Sequence, residues 1–121
     1  MNSKESMVIW KEGSIDVANE ALVKQIVFPV NALINANPED DLIDLFSSKL
    51  TEEECFGLME MNVEVEAINF KCISIKENFA VVEASVFDGI KEYGQVYFLV
   101  NENGEYRIFD CTLQAAYLRV N

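Results

Sequence analysis

The last third of the chain alternates between apolar runs and residues that favour turns. Three runs rich in Val, Ile, Phe and Tyr cover residues 79–86, 93–100 and 106–113. Residues 87–92 and 101–104, which contain Gly, Asn and Asp, separate them. Runs of β-branched and aromatic residues bounded by such turn formers are typical of strands. The pattern predicts a meander of three antiparallel strands.

A fourth strand is predicted just before these three, and its apolar phase shifts along its length. Apolar residues occupy odd positions from Val63 to Ala67, even positions from Ile68 to Cys72, and odd positions again at Ile73 and Ile75. Side chains alternate between the two faces of a strand, so a change of phase indicates an inserted residue. We therefore expect one or more β-bulges and a strongly bent strand.

Helical periodicity precedes the strands, from Ile15 to Asn35. Ser14 or Asp16 is a suitable N-cap, and apolar residues recur on one face. That face consists of Ala18, Leu22, Ile26, Val30 and Leu33. Pro29 lies inside the pattern and removes one backbone hydrogen bond, so we expect a kink or break near Val27.

Two further helices are predicted before the sheet. Asn37 and Pro38 suit the start of the second, whose apolar side runs from Leu42 to Phe46 before Ser47 and Ser48 end it. Thr51 followed three residues later by Glu54 forms a capping box, which opens a short third helix. The acidic residues near both starts therefore have a structural explanation as partners of the helix dipole.

Helices followed by an antiparallel meander predict an α+β fold, with N-terminal helices packed on a curved four-stranded antiparallel sheet. Nothing in the pattern of residues 1–121 resembles a linker or a repeat, so we expect a single domain. Residues 1–13 form an N-terminal arm or lid. The apolar run from Val8 to Trp10 either adds an edge strand or an arm that docks on a second subunit, or closes the open end of the domain.

Residues 93–110 resemble the final hairpin of the nuclear transport factor 2-like superfamily. Members often end in a strand, an Asn-Gly type of turn, and a strand whose Trp- or Tyr-centred motif is followed by Asp; here these are Asn103-Gly104, Tyr106 and Asp110. The long first helix and the bent strand from Val63 match the cone of that fold. The family usually has a short strand or hairpin between its second and third helices, where residues 46–51 are short and polar.

The resemblance implies a range of functions, because the superfamily includes isomerases, dehydratases, small-ligand binders, transport adaptors and toxin-immunity proteins. In its enzymes an acid or a His projects into the cone as general base. The chain has no His, which removes Ser-His and Cys-His pairs and His metal ligands. Carboxylates, Tyr and Cys remain as possible acid-base groups, and Asp110 is the best candidate base, with Tyr97 and Tyr106 as hydrogen-bond donors. A solvated carboxylate on the last strand is the alternative interpretation of Asp110.

The net charge of the chain restricts the possible partners more than any other property of the sequence. The net charge of −12 and pI near 4.2 disfavour nucleic acid and anionic membranes as direct partners, since both are bound through Lys and Arg. Residues 37–66 contain Lys49 as their one basic residue, against ten acidic ones. A basic protein partner would be steered toward such a segment. The residues we expect to bind it are Glu39, Asp40, Asp41, Asp44, Glu52 and Glu53.

The remaining chemistry favours a protein that is not an enzyme. No motif indicates a cofactor or a metal site, and three cysteines without CxxC spacing indicate reduced thiols. The first twelve residues lack the apolar core of a secretory signal, so we expect a cytoplasmic protein. The sequence thus predicts an acidic adaptor or an immunity-type antagonist of a basic protein. The alternatives are a pocket protein that binds or isomerises a small apolar molecule through Asp110, and a homodimer formed through the sheet face or the N-terminal arm.

Overall fold

The computed structural model describes residues 7–13, 19–36, 42–62 and 64–114, except for the side chains of residues 113 and 114. In chain order the elements are β1 (Met7–Lys11), α1 (Glu20–Ile34), a 3₁₀ turn (Ile43–Leu45), α2 (Glu52–Met61), β2 (Ala67–Lys76), β3 (Phe79–Phe87), β4 (Glu92–Glu102) and β5 (Glu105–Gln114). The strands form one antiparallel sheet in the order β1-β2-β3-β4-β5. The predicted α+β class is confirmed, but the sheet has five strands rather than four.

The additional strand comes from the N-terminal apolar run. β1 pairs with β2 at the edge of the sheet, and the backbone N–H of Glu12 extends the pairing by donating to the carbonyl of Lys71. Ile9 is buried and Trp10 packs against the core. An edge strand satisfies the backbone of this run while burying its apolar side chains, so the sheet gains a strand that periodicity alone left undecided.

The sheet is irregular where the sequence predicted a bulge. The β2–β3 register shifts between Phe70 and Cys72, within the region of changing apolar phase. A second shift lies between Phe98 and Leu99, where β4 pairs with β5. β-Bulges bend and twist strands, so both contribute to curvature.

The first helix supplies the layer above the sheet. Ile26, Val30 and Leu33 of α1 are buried in the core, and Leu22 is partly buried against it, as the helical periodicity predicted. α1 continues through Pro29 from Glu20 to Ile34, so of the expected kink or break near Val27 the break does not occur. The expected start, with Ser14 and Asp16, lies outside the described residues. Within the described residues, no helix is both long and apolar enough to cross a membrane.

The predicted second helix is wrong for residues 42–46, where the chain forms the 3₁₀ turn and then extends. Phe46 is buried and makes a parallel bridge to Ile108 of β5, and the N–H of Ser47 donates to the carbonyl of Ile108 at 2.8 Å. Docking against β5 buries the ring and pairs the backbone, which a continued helix would prevent. Asn37 and Pro38 lie outside the described residues.

The predicted third helix is confirmed as α2. The N–H of Glu54 donates to the Thr51 hydroxyl at 3.1 Å, and the Thr51 N–H donates to the Glu54 carboxylate at 2.8 Å. This capping box satisfies two backbone donors that a helix start otherwise leaves unpaired.

Candidate functional site

The three residues considered for catalysis do not converge. Asp110 is exposed on β5, and its carboxylate accepts the N–H of Cys111 at 2.7 Å. Tyr97 is buried opposite Cys111 in the β4–β5 register. Successive residues of a strand point to opposite faces, so Asp110 and Tyr97 lie on different sides of the sheet. Tyr106 is half-buried near the other end of β5.

Tyr97 belongs instead to a buried polar cluster with Asn62 and Gln95. Its hydroxyl donates to Asn62 Oδ1 at 2.7 Å, and Gln95 Nε2 lies 2.9 Å from both Asn62 Oδ1 and the Tyr97 oxygen. Asn62 Nδ2 donates to the carbonyl of Leu58 at 2.8 Å. The cluster ties the end of α2 to β4. Sequence analysis missed it, although a Gln within an apolar strand was an available signal.

Burial keeps this interior uncharged. Loss of water raises the pKa of the Tyr97 hydroxyl above its ordinary value and raises that of the Cys111 thiol to about 12. The carboxylates with a resolved shift move the other way: hydrogen bonds lower the pKa of Glu12, Asp88 and Glu102. A general base that works near neutral pH needs a pKa close to that range, and these carboxylates are shifted away from it.

Two of the predicted binding residues do come together. Asp44, beside α1 in the 3₁₀ turn, and Glu52, at the start of α2, line the same depression of about 200 Å³. Glu53 is exposed next to Glu52 on α2. Among the described residues, no basic side chain forms an ion pair with any of these three carboxylates. Glu39, Asp40 and Asp41 lie outside the described residues.

Cys55 follows the acidic first turn of α2. It lies on α2, is buried, and lines the same depression. Its thiol pKa is raised, first by burial and then by the carboxylates of Glu54 and Glu52. Burial is the larger cause, and the negative charge of the two carboxylates adds to it by disfavouring the thiolate.

Arg107 fixes the 3₁₀ turn to the β4–β5 hairpin. Its Nη1 donates to the backbone carbonyl of Asp44 and its Nη2 donates to the Glu105 carboxylate, each at 3.0 Å. Its Nε lies 3.9 Å from Glu102 Oε1 and is buried without a hydrogen bond. Glu102 in turn accepts the Ser47 hydroxyl at 2.5 Å and the Ser48 N–H at 3.1 Å, and the Ser47 contact is the main cause of its lowered pKa.

A larger groove of about 560 Å³ adjoins this junction and shares Asp44 and Arg107 with the depression. Three segments far apart in the sequence form it: α1, the 3₁₀ turn and the β4–β5 hairpin. Its apolar part consists of Phe28, Pro29, Leu45 and Tyr106. The sequence could not indicate this groove, because no local pattern brings these segments together.

No model of a known protein family matches the chain, and no curated protein matches it significantly. In the part of the chain that the structure describes, no group of three or more His, Cys, Asp or Glu residues is placed to hold a metal ion. Its three cysteines are free, with Cys55 and Cys111 buried and Cys72 partly exposed.

Proposed function

We propose that the chain is a non-enzymatic binding domain whose acidic surface takes a basic protein partner, as an adaptor or as an immunity-type antagonist. The acidic surface consists of Asp44, Glu52 and Glu53, continued in sequence by Glu39, Asp40 and Asp41. The observation that carries the proposal is that Asp44 and Glu52, from separate elements, meet around one depression without a basic partner among the described residues.

Unpaired carboxylates suit this role for a physical reason. A carboxylate already held by an Arg or Lys must give up that contact before it can take a partner's charge, whereas Asp44, Glu52 and Glu53 have no such contact with any described residue. The net charge of −12 adds a long-range field that speeds the approach of a cationic protein. The interior supports a binding rather than a catalytic role, since its polar groups Asn62, Gln95 and Tyr97 are engaged with one another.

We further propose that the domain is a cone of the nuclear transport factor 2-like type. Support comes from the bulge that bends β2 and from α1 packed on the inner face of the sheet. The bridge between Phe46 and Ile108 lies between the helical segments, where that superfamily usually has a short strand. A cytoplasmic location is also proposed, in keeping with three free cysteines.

The test is a selection that needs no knowledge of the natural partner. A phage-displayed library of random peptides is selected against the immobilised full chain at low salt. We expect the recovered peptides to be enriched in Lys and Arg, and their affinity to fall as ionic strength rises, because salt screens charges over about 8 to 10 Å.

The variant Asp44→Lys, Glu52→Lys, Glu53→Lys should lose these peptides. Its matched control, Glu77→Lys, Glu83→Lys, Glu92→Lys, makes the same change in net charge on the β2–β3 turn, on β3 and at the start of β4. Circular dichroism checks that both variants fold, since lysines in the first turn of α2 oppose the helix dipole. Recovery of peptides with no excess of basic residues, or equal losses in both variants, would overturn the proposal.

A further inference from the structure

The groove of about 560 Å³ beside α1 has an apolar lining that includes one strongly exposed aromatic side chain. Phe28 is 65% exposed in the middle of α1, and the half-buried Leu45 and Tyr106 and the buried Pro29 complete the apolar lining. An exposed aromatic side chain that lines a groove next to further apolar residues favours a contact surface there. The volume lies within the range of about 300 to 1,000 Å³ typical of ligand sites.

The polar lining of the groove is rich in hydrogen-bond acceptors. Asp44 of the 3₁₀ turn and Glu105 of the β4–β5 hairpin both line it. Gln25 also lines the groove, and its backbone carbonyl lacks its usual helical partner because Pro29 has no N–H to donate. A donor-rich, cationic group is therefore the complement of this lining.

Arg107 does not cancel this preference. It is the one basic residue in the described lining, and both of its terminal nitrogens already donate to groups of the protein, the Asp44 carbonyl and the Glu105 carboxylate. Glu102 lies 3.9 Å from its Nε. Its charge is thus offset by two neighbouring carboxylates, which leaves that of Asp44 without a compensating cation among the described lining residues.

We propose that this groove takes an arginine side chain of the basic partner together with a neighbouring apolar residue, an inference that rests on the proposed function. The arginine stem lies against Phe28 and Tyr106, and its flat guanidinium stacks on an aromatic ring. Five N–H donors in a planar fork reach acceptors on both sides of the groove, at α1 and at Asp44. A lysine ammonium is a compact charge and meets fewer of these acceptors at once.

The experiment is an NMR titration of the ¹⁵N-labelled full chain with the blocked peptide acetyl-Ala-Arg-Leu-Ala-amide. We expect shifts in the backbone amide signals of Phe28, Gly104, Tyr106 and Arg107. Replacing the peptide's arginine by glutamine should weaken binding about tenfold or more, because a charged hydrogen bond to carboxylate is lost. Replacement by lysine should give an intermediate affinity.

Phe28→Ser is the matching protein variant, and Phe56→Ser is its control, since Phe56 is 54% exposed on α2 and does not line the groove. Phe28→Ser should weaken the peptide about threefold to tenfold, with no change for the control. Absence of shifts at the groove up to tens of millimolar peptide, or equal binding of the arginine and glutamine peptides, overturns the inference.

The two proposals fail in different ways. If Phe28→Ser keeps full affinity while the triple reversal at Asp44, Glu52 and Glu53 loses the selected basic peptides, the groove is not the anchor and the acidic surface remains the binding site. If the triple reversal has no effect beyond its control, the proposed function itself is wrong.

Discussion

Ile26 is the residue at which the helix and the sheet depend on each other most directly. It is fully buried in α1, within the same core as Ile73 and Leu99 of the sheet. Ile26→Ala should lower the free energy of unfolding by about 2 to 5 kcal/mol, because the lost methylene groups leave a cavity. Urea denaturation followed by circular dichroism measures this loss.

Phe28→Ala, two residues further along α1, is the control for this prediction. Its side chain is largely exposed, so the free energy of unfolding should change by about 0.5 kcal/mol or less. If both variants lost the same free energy of unfolding, the face of α1 that carries Ile26 would not pack on the sheet.

Cys111 makes stability depend on pH at the alkaline end. The folded protein holds the thiol proton up to about pH 12, whereas an unfolded chain releases it near 9. The contribution of this group to stability is therefore complete below about pH 8.5 and is lost as the pH rises toward the folded pKa. Burial of Tyr97 acts in the same direction above pH 10.

Cys111→Ala should flatten this decline by about 1.4 kcal/mol per pH unit, since one titrating group is removed. Urea midpoints of the wild type and the variant at several pH values between 9 and 11 provide the measurement. An unchanged slope would mean that the Cys111 thiol has the same pKa in the folded protein as in the unfolded chain.

At the scale of the element, the start of α2 depends on a single side chain. Thr51→Ala removes the acceptor for the Glu54 N–H and should cost about 1 kcal/mol of stability. Glu53→Gln, which leaves the capping box intact, serves as the reference, and the free energy of unfolding from urea denaturation is compared for both. No difference between the two would indicate that packing of Cys55 and Leu58, rather than the cap, determines where α2 begins.

Patterns in short stretches of sequence predicted the elements that depend on interactions between neighbouring residues. The capping box at Thr51, the bulge near Cys72 and the turn at Asn103 follow from short stretches of sequence, and the structure contains all three. Asn103 and Gly104 both have positive φ, as the tight β4–β5 turn requires.

The elements that local rules misjudged or left open depend on residues far away in the chain. Phe46 departs from the helical pattern because it forms a β-bridge with Ile108. β1 joins the sheet because it pairs with the edge of β2. Pro29 lies inside an uninterrupted α1, although the local rule favours a break. Pro29 is buried, and only the hydrogen bond to the carbonyl of Gln25 is lost at its position.

At the scale of the whole molecule, the sequence indicated the distribution of charge but not the shape of the surface. The concentration of acidic residues in 37–66 follows directly from the sequence, and the role of Asp44, Glu52 and Glu53 in binding stays a prediction. The groove beside Phe28 required α1 and the β4–β5 hairpin to be placed together, which depends on the complete set of core contacts.

The outer face of the sheet bears on the homodimer that the sequence left as an alternative. Phe109 lies with its ring centroid 5.7 Å from that of Phe79 and 6.2 Å from that of Phe98, and Phe79 is 46% exposed. Phe98 lies next to the buried Tyr97 on β4, so it faces away from the helices. We expect this aromatic group to mediate pairing through the sheet face.

Sedimentation equilibrium of the full chain tests that expectation. Phe79→Ser with Phe109→Ser should shift the wild-type dimer toward monomer by at least tenfold in dissociation constant, or about 1.4 kcal/mol. Ile90→Ser is the control, because Ile90 is exposed at the β3–β4 turn. A dimer that both Phe changes leave intact would point to the N-terminal arm instead, and a wild type that stays monomeric at high concentration would contradict both contacts.

The β3–β4 ladder determines the order in which the strands of the sheet open locally. Its pairs run from Phe79 with Val100 to Phe87 with Glu92 without a register shift, whereas each of the other strand pairs contains one. Local opening starts where a ladder is already interrupted and proceeds outward from there. Amide hydrogens at the centre of β3 and β4 should therefore exchange with solvent last, while β1 and β5 open and close around a hairpin that stays intact.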